Sequence, residues 1–346
     1  MVQLTNRVAA TKPDRRPPAA RDLLAAVFLA GVAAIVIARW WTGTGYQEPP
    51  LGLPDAGGLT AIGLPIVQFV HDVAGIAVVG LLFVRCLSGL GHSGFGSSAV
   101  PAHQHLMAMA VRWAWLWAGS TLAWIVLTMS DLVGVPVVRL PERADVLAIV
   151  LGTDRVLTQI ATLWVAVAIA LFGARLSTVA ATSGVLVLAI AALLPSALTG
   201  HAGHHNYSDV AVVALAVHIT AASLWVGGLL ALAVHLRAFP DRLQYAVPRF
   251  SAAALICVIA VGVSGVVESA VMLDDWAALW GSNRGHLIIA KVLALVVLGG
   301  IGWWHRQRTM GPAATGRLLP MLRLAAGELV LMGVTVGIAV VLSGTA

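Results

Sequence analysis

Charge is what this chain has least of. Asp, Glu, Lys and Arg make up 10% of its 346 residues, against roughly 25% in soluble domains. That scarcity excludes an ordinary soluble fold, and 59% apolar residues mark an integral membrane protein. Cysteine is nearly absent too: Cys86 and Cys257 form no C-x-x-C pair and are too few for a disulfide framework. Strand-like alternation of polar and apolar residues is missing, which argues against a transmembrane barrel. No Walker P-loop, aspartyl-phosphate loop or Cys-Pro-Cys helix is found, so nothing points to ATP-driven pumping. H-E-x-x-H and G-x-S-x-G are missing as well, which disfavours intramembrane hydrolases of those types.

What is present is a series of long apolar runs. Nine are visible, at about 23–40, 62–84, 108–130, 157–174, 177–198, 209–236, 250–272, 286–304 and 321–343. Each suits a bilayer crossing at about 1.5 Å per helical residue. Lipid offers no partner to a free backbone group, so the expectation is an all-α polytopic membrane protein. Arg7, Lys12, Arg15, Arg16 and Arg21 near the start, and the arginines of alternate loops, predict a cytoplasmic N-terminus and an extracytoplasmic C-terminus. The net charge of +6 is then positive-inside bias and not a nucleic-acid footprint. Trp40-Trp41 stand where a signal peptidase would need small residues, so the first run reads as an uncleaved anchor.

The runs contain an internal echo. His71-Asp-Val-Ala74 followed by Val79-Gly80-Leu-Leu82 matches His218-Ile-Thr-Ala221 followed by Val226-Gly227-Gly-Leu229. Downstream, Gly152-Thr-Asp-Arg155 is echoed by Gly281-Ser-Asn-Arg284. Two matches in the same order point to a duplication. They predict one helix followed by two parallel four-helix repeats, with helices 2 and 6 facing one another. The expected division is a basic tail at 1–22, helices 1–5 at 23–200, and helices 6–9 at 201–346. His71 and His218 would both rest about 14 Å below the outer surface, as a shared site requires.

Ionisable residues inside a membrane are rare and face the bundle interior. His71, Asp72, His218, Glu268, Lys291 and Glu328 are of this kind. Asp72, Glu268 and Lys291, with His286 at the outer mouth of helix 8, form a candidate supporting set around the histidines. His201, His204 and His205 lie in the outer loop before helix 6, and three imidazoles beside Gly200 and Gly203 could capture copper, zinc, iron or nickel. His103, His105, Met107 and Met109 lead into helix 3 on the opposite side, an imidazole and thioether set that suits Cu(I). If the chain transports a metal, these would be an entrance and an exit.

Residues 210–310 resemble the CopD copper-resistance family of bacterial inner-membrane proteins. The resemblance rests on His218-x-x-Ala-Ala-Ser-Leu-Trp225-Val-Gly-Gly-Leu229, Arg249-Phe-Ser251, Gly285-His286-Leu-x-x-x-Lys291 and Trp304-His-Arg306. Ser196-Ala-Leu-Thr-Gly-His201-Ala202 is similar to longer actinobacterial members, although the oxidase-assembly domain those carry is not in this sequence. The first repeat departs from the second: it lacks the equivalent of Trp225, and Thr162 stands where Lys291 does. The resemblance implies copper homeostasis in the plasma membrane, with copper ions as cargo and a periplasmic copper-binding protein as a partner. It singles out His201, His218 and Lys291. The expectation is a non-enzymatic metal-handling protein with a His71/His218 layer. Bis-imidazole ligation of haem b by that pair, in a membrane oxidoreductase or electron carrier, is the alternative.

Overall fold

A computed structural model describes residues 19–48, 50, 54–89, 99–198, 209–272, 278–314 and 319–344. Nine long helices account for most of them. These are α1 (Ala20–Thr42), α2 (Gly57–Gly89), α3 (Ala99–Val133), α4 (Asp154–Phe172), α5 (Val179–Leu198), α6 (Asp209–Leu230), α7 (Pro240–Met272), α8 (Asn283–Ala314) and α9 (Leu319–Gly344). No strand occurs among the described residues. All nine apolar runs are therefore helical, and eight of the helices are long and apolar enough to cross a membrane. In α5 the described apolar part, Val179–Leu194, is shorter. The chain is an all-α polytopic membrane protein.

The helix ends follow local chemistry. α1 stops at Gly43, whose φ of +69° suits glycine and whose N–H returns to the carbonyls of Arg39 and Trp40. Before α2, Asp55 accepts the Gly57 N–H with one oxygen and the Tyr46 hydroxyl with the other, both at 2.8 Å. α6 does not end cleanly: it continues through a π turn, Ala231–His235, and a 3-10 turn, Leu236–Ala238.

α2 is the central element. It packs on α3, α5, α6 and α9, and Ala74, Ala77, Val78, Leu81 and Leu82 are fully enclosed. Small residues set the closest approaches, as expected where lipid supplies no hydrophobic drive between helices. On α9, Gly333 and Gly337 lie against the α1 carbonyls of Val27 and Gly31, so α1 is tied to the last helix. Between α2 and α6 the approach is closer still. A Cβ at Gly80 would fall 1.9 Å from the Gly227 carbonyl carbon, and one at Gly227 would fall 2.1 Å from the Ile76 oxygen. Gly80 and Gly227 are the equivalent glycines of the two echoes. α2 and α6 therefore face one another about a crossing formed by these two glycines.

Candidate functional site

The same motif fixes where the histidines point. His71 precedes Gly80 by nine residues, as His218 precedes Gly227. Nine residues at 3.6 per turn are about two and a half turns, roughly 180° of rotation and 13.5 Å of rise. Since each glycine faces the partner helix, each histidine faces away from it. The expected His71/His218 layer is thus not assembled: the pair is level relative to the crossing, but the two side chains diverge. His71 lies fourteen residues after the start of α2 at Gly57, five more than the predicted span allowed, and His218 nine after the start of α6 at Asp209.

Each histidine turns instead to the long helix that follows its own in the chain. His71 Nδ1 lies 2.9 Å from Thr121 Oγ1 of α3, and His218 Nδ1 lies 3.1 Å from Ser264 Oγ of α7. Thr121 donates its hydroxyl proton to the Trp117 carbonyl at 2.6 Å, and Ser264 donates to the Ala260 carbonyl at 2.6 Å. A hydroxyl has one proton, so towards the imidazole each oxygen must accept. The hydrogen-bond network therefore assigns both histidines as Nδ1–H tautomers with a lone pair on Nε2. That is the form in which neutral imidazole ligates a metal, its other nitrogen held by a second group. The hydroxyls were not singled out from the sequence, where one Thr or Ser in an apolar span carries no signal.

The two surroundings differ. His71 is fully buried between the rings of Trp117 and Trp124, whose centroids lie 6.0 and 4.7 Å from its own. Its Nε2 is buried without a hydrogen-bond partner, as are the indole nitrogens of both tryptophans. Asp72 is half-buried and points about 100° away from His71 around α2. His218 is half-buried, against Gly265. Glu268 follows Ser264 by one turn of α7, and the Lys291 charge on α8 reaches both Glu268 and His218. Glu268 and Lys291 make no direct ion pair within 4 Å among the described residues. The structure thus joins His218 to Ser264, with Lys291 in electrostatic range of His218 and of Glu268. His286 is exposed, with Nε2 3.0 Å from the Trp280 carbonyl.

The set leading into α3 does not converge on one point. Met107 is buried in the core against Gly173. The sulfur of Met109 is 3.9 Å from Arg112 Nη1. His105 packs with tilted rings against Phe239 and His235, with centroids 5.5 and 6.3 Å away. His103 lies within electrostatic range of Arg85 and Arg242. His235, placed by the π turn, went unnoticed in the sequence because it has no histidine near it there. It accepts the Trp113 indole N–H on Nε2 at 3.1 Å, which uses its lone pair. Among the described residues no three His, Cys, Asp or Glu side chains are grouped to hold a metal. His201, His204 and His205 lie outside the described residues.

Haem b does not fit the His71/His218 pair. Axial ligation of one haem needs two imidazoles facing each other across the macrocycle, and these diverge from the α2/α6 crossing.

Comparisons with known proteins agree with this architecture. Residues 244–342 match the family model of copper resistance protein D, and residues 59–206 match that of the copper resistance protein D-like N-terminal domain. His71 and Thr121 fall in the second match, Ser264, Glu268 and Lys291 in the first, and His218 between the two. No curated protein and no solved structure matches the chain.

Proposed function

This chain belongs to the copper resistance protein D family, and from that premise we propose that it binds copper ions within the membrane and conducts them across it, using one histidine in each repeat. The carrying observation is the paired hydroxyl lock, Thr121 on His71 and Ser264 on His218, which leaves an Nε2 lone pair in both. Imidazole is a suitable copper ligand, and holding its Nδ1–H fixes ring and tautomer before the ion arrives. His218 is the more accessible of the two and lies beside Glu268 and Lys291, a polar path in an apolar wall. His71 is the enclosed one. The two are separate stations, which replaces the single layer expected from the repeat. His201, His204 and His205 would capture copper on the outer side. A cytoplasmic N-terminus, an extracytoplasmic C-terminus and a periplasmic copper donor complete the reading, with residues 23–200 and 201–346 as the two halves that carry the stations.

Copper titration of the purified protein tests it. Two stations predict that His71→Ala and His218→Ala each remove one binding event, and that the double variant removes both together with cellular copper accumulation. Full binding and accumulation by the double variant would sink the proposal.

A further inference from the structure

The Arg-rich end of the bundle holds a second group of buried polar atoms, remote from the histidine stations. Arg85 lies four residues before the end of α2, His103 four after the start of α3, and Arg242 two after the start of α7. At about 1.5 Å per residue, all three are within roughly 6 Å of the same end of the helices. Arg85 and Arg242 are only 4% and 3% exposed. Both guanidinium charges reach the His103 ring.

Arg85 donates Nη2 to the Ser177 carbonyl at 2.9 Å, but its Nε is buried without a hydrogen bond. The Nε2 of His103 is buried and unbonded too. Neither residue has a carboxylate partner among the described residues, and the 90–98 segment joining α2 to α3 contains no acid. Burying the Arg85 guanidinium without a carboxylate beside it is costly, and buried charges are ordinarily paired. A copper ion at His103 would be repelled by both arginines, whereas an oxyanion would be drawn in.

We propose that Arg85, His103 and Arg242 bind a phosphate-type oxyanion, either the phosphodiester of an anionic phospholipid or free phosphate. Guanidinium N–H groups match phosphate oxygens in geometry as well as charge. His103, as its Nε2–H tautomer, adds a further donor. Basic pockets between membrane helices at their cytoplasmic ends are places where anionic lipid headgroups bind. The site is independent of the copper stations.

The test uses the full chain in nanodiscs of phosphatidylcholine alone or with phosphatidylglycerol, and in detergent with inorganic phosphate against potassium chloride of equal ionic strength. The readout is the thermal unfolding midpoint. Wild type is expected to gain stability with phosphatidylglycerol, with phosphate, or with both. Arg85→Gln and His103→Gln are expected to need at least tenfold more ligand for the same gain. A gain from phosphatidylglycerol alone identifies the lipid, and one from phosphate in detergent identifies the free anion. His103→Gln keeps the test open if Arg85→Gln does not fold. Equal responses of wild type and His103→Gln, or a wild-type response matched by potassium chloride, would overturn the proposal.

Discussion

A methyl group added at Gly80 has no room. Its carbon would fall 1.9 Å from the Gly227 carbonyl carbon and 2.0 Å from its oxygen, where ordinary contact begins at 3.4 Å. Both neighbours are backbone atoms, so no side chain can swing aside. Gly80→Ala must therefore push α2 and α6 apart locally by about 1.5 Å, and a gap of 0.5–1 Å already forfeits a quarter to a half of each dispersion contact. Overpacking costs about 1–3 kcal/mol, with the upper end expected where backbone meets backbone. The helix-propensity gain of alanine over glycine offsets up to about 1 kcal/mol, leaving a net loss of roughly 2 kcal/mol. Gly119→Ala is the internal control: its added carbon meets nothing within 4 Å, so the propensity gain stands alone. The double variant Gly80→Ala/Gly227→Ala should cost less than the sum of its parts, since one separation relieves both clashes. Thermal unfolding in nanodiscs measures all four. A Gly80→Ala protein as stable as Gly119→Ala would refute the crossing, and with it the outward direction of the histidines.

Three further outcomes are expected. Thr121→Val and Ser264→Ala, which release the histidine tautomers without touching Nε2, should each weaken one copper-binding event about 10–100-fold; unchanged titrations would count against the lock. Thr121→Val should also destabilise the protein by about 1–3 kcal/mol by stranding the buried His71 Nδ1–H, measurable as a lower unfolding midpoint. The Asp55 carboxylate, hydrogen-bonded to the Tyr46 hydroxyl, holds that phenol above its ordinary value. Because the protonated form is favoured, the bond persists at neutral pH and is lost as pH rises through the raised value. Ultraviolet titration should show one tyrosine midpoint falling in Asp55→Ala, and identical curves would contradict the contact.

The sequence by itself determined the helices and showed the echo between two of them. Crossing a membrane is a one-dimensional requirement on length and apolarity, so the nine apolar runs could be read directly from the residues. The echo around His71 and His218 was equally visible, and so was the nine-residue interval between histidine and glycine. The meaning of that interval was hidden until the structure showed which face of α2 meets α6. Only tertiary packing decided this, because contact between membrane helices is set by close fit at small residues such as Gly80 and Gly227, a property hydropathy does not record. Packing also decided that Thr121 and Ser264 hold the histidines, that His235 joins His105, and that His103 lies among arginines. Each depends on which helix stands beside which, and spacing along one helix cannot supply that.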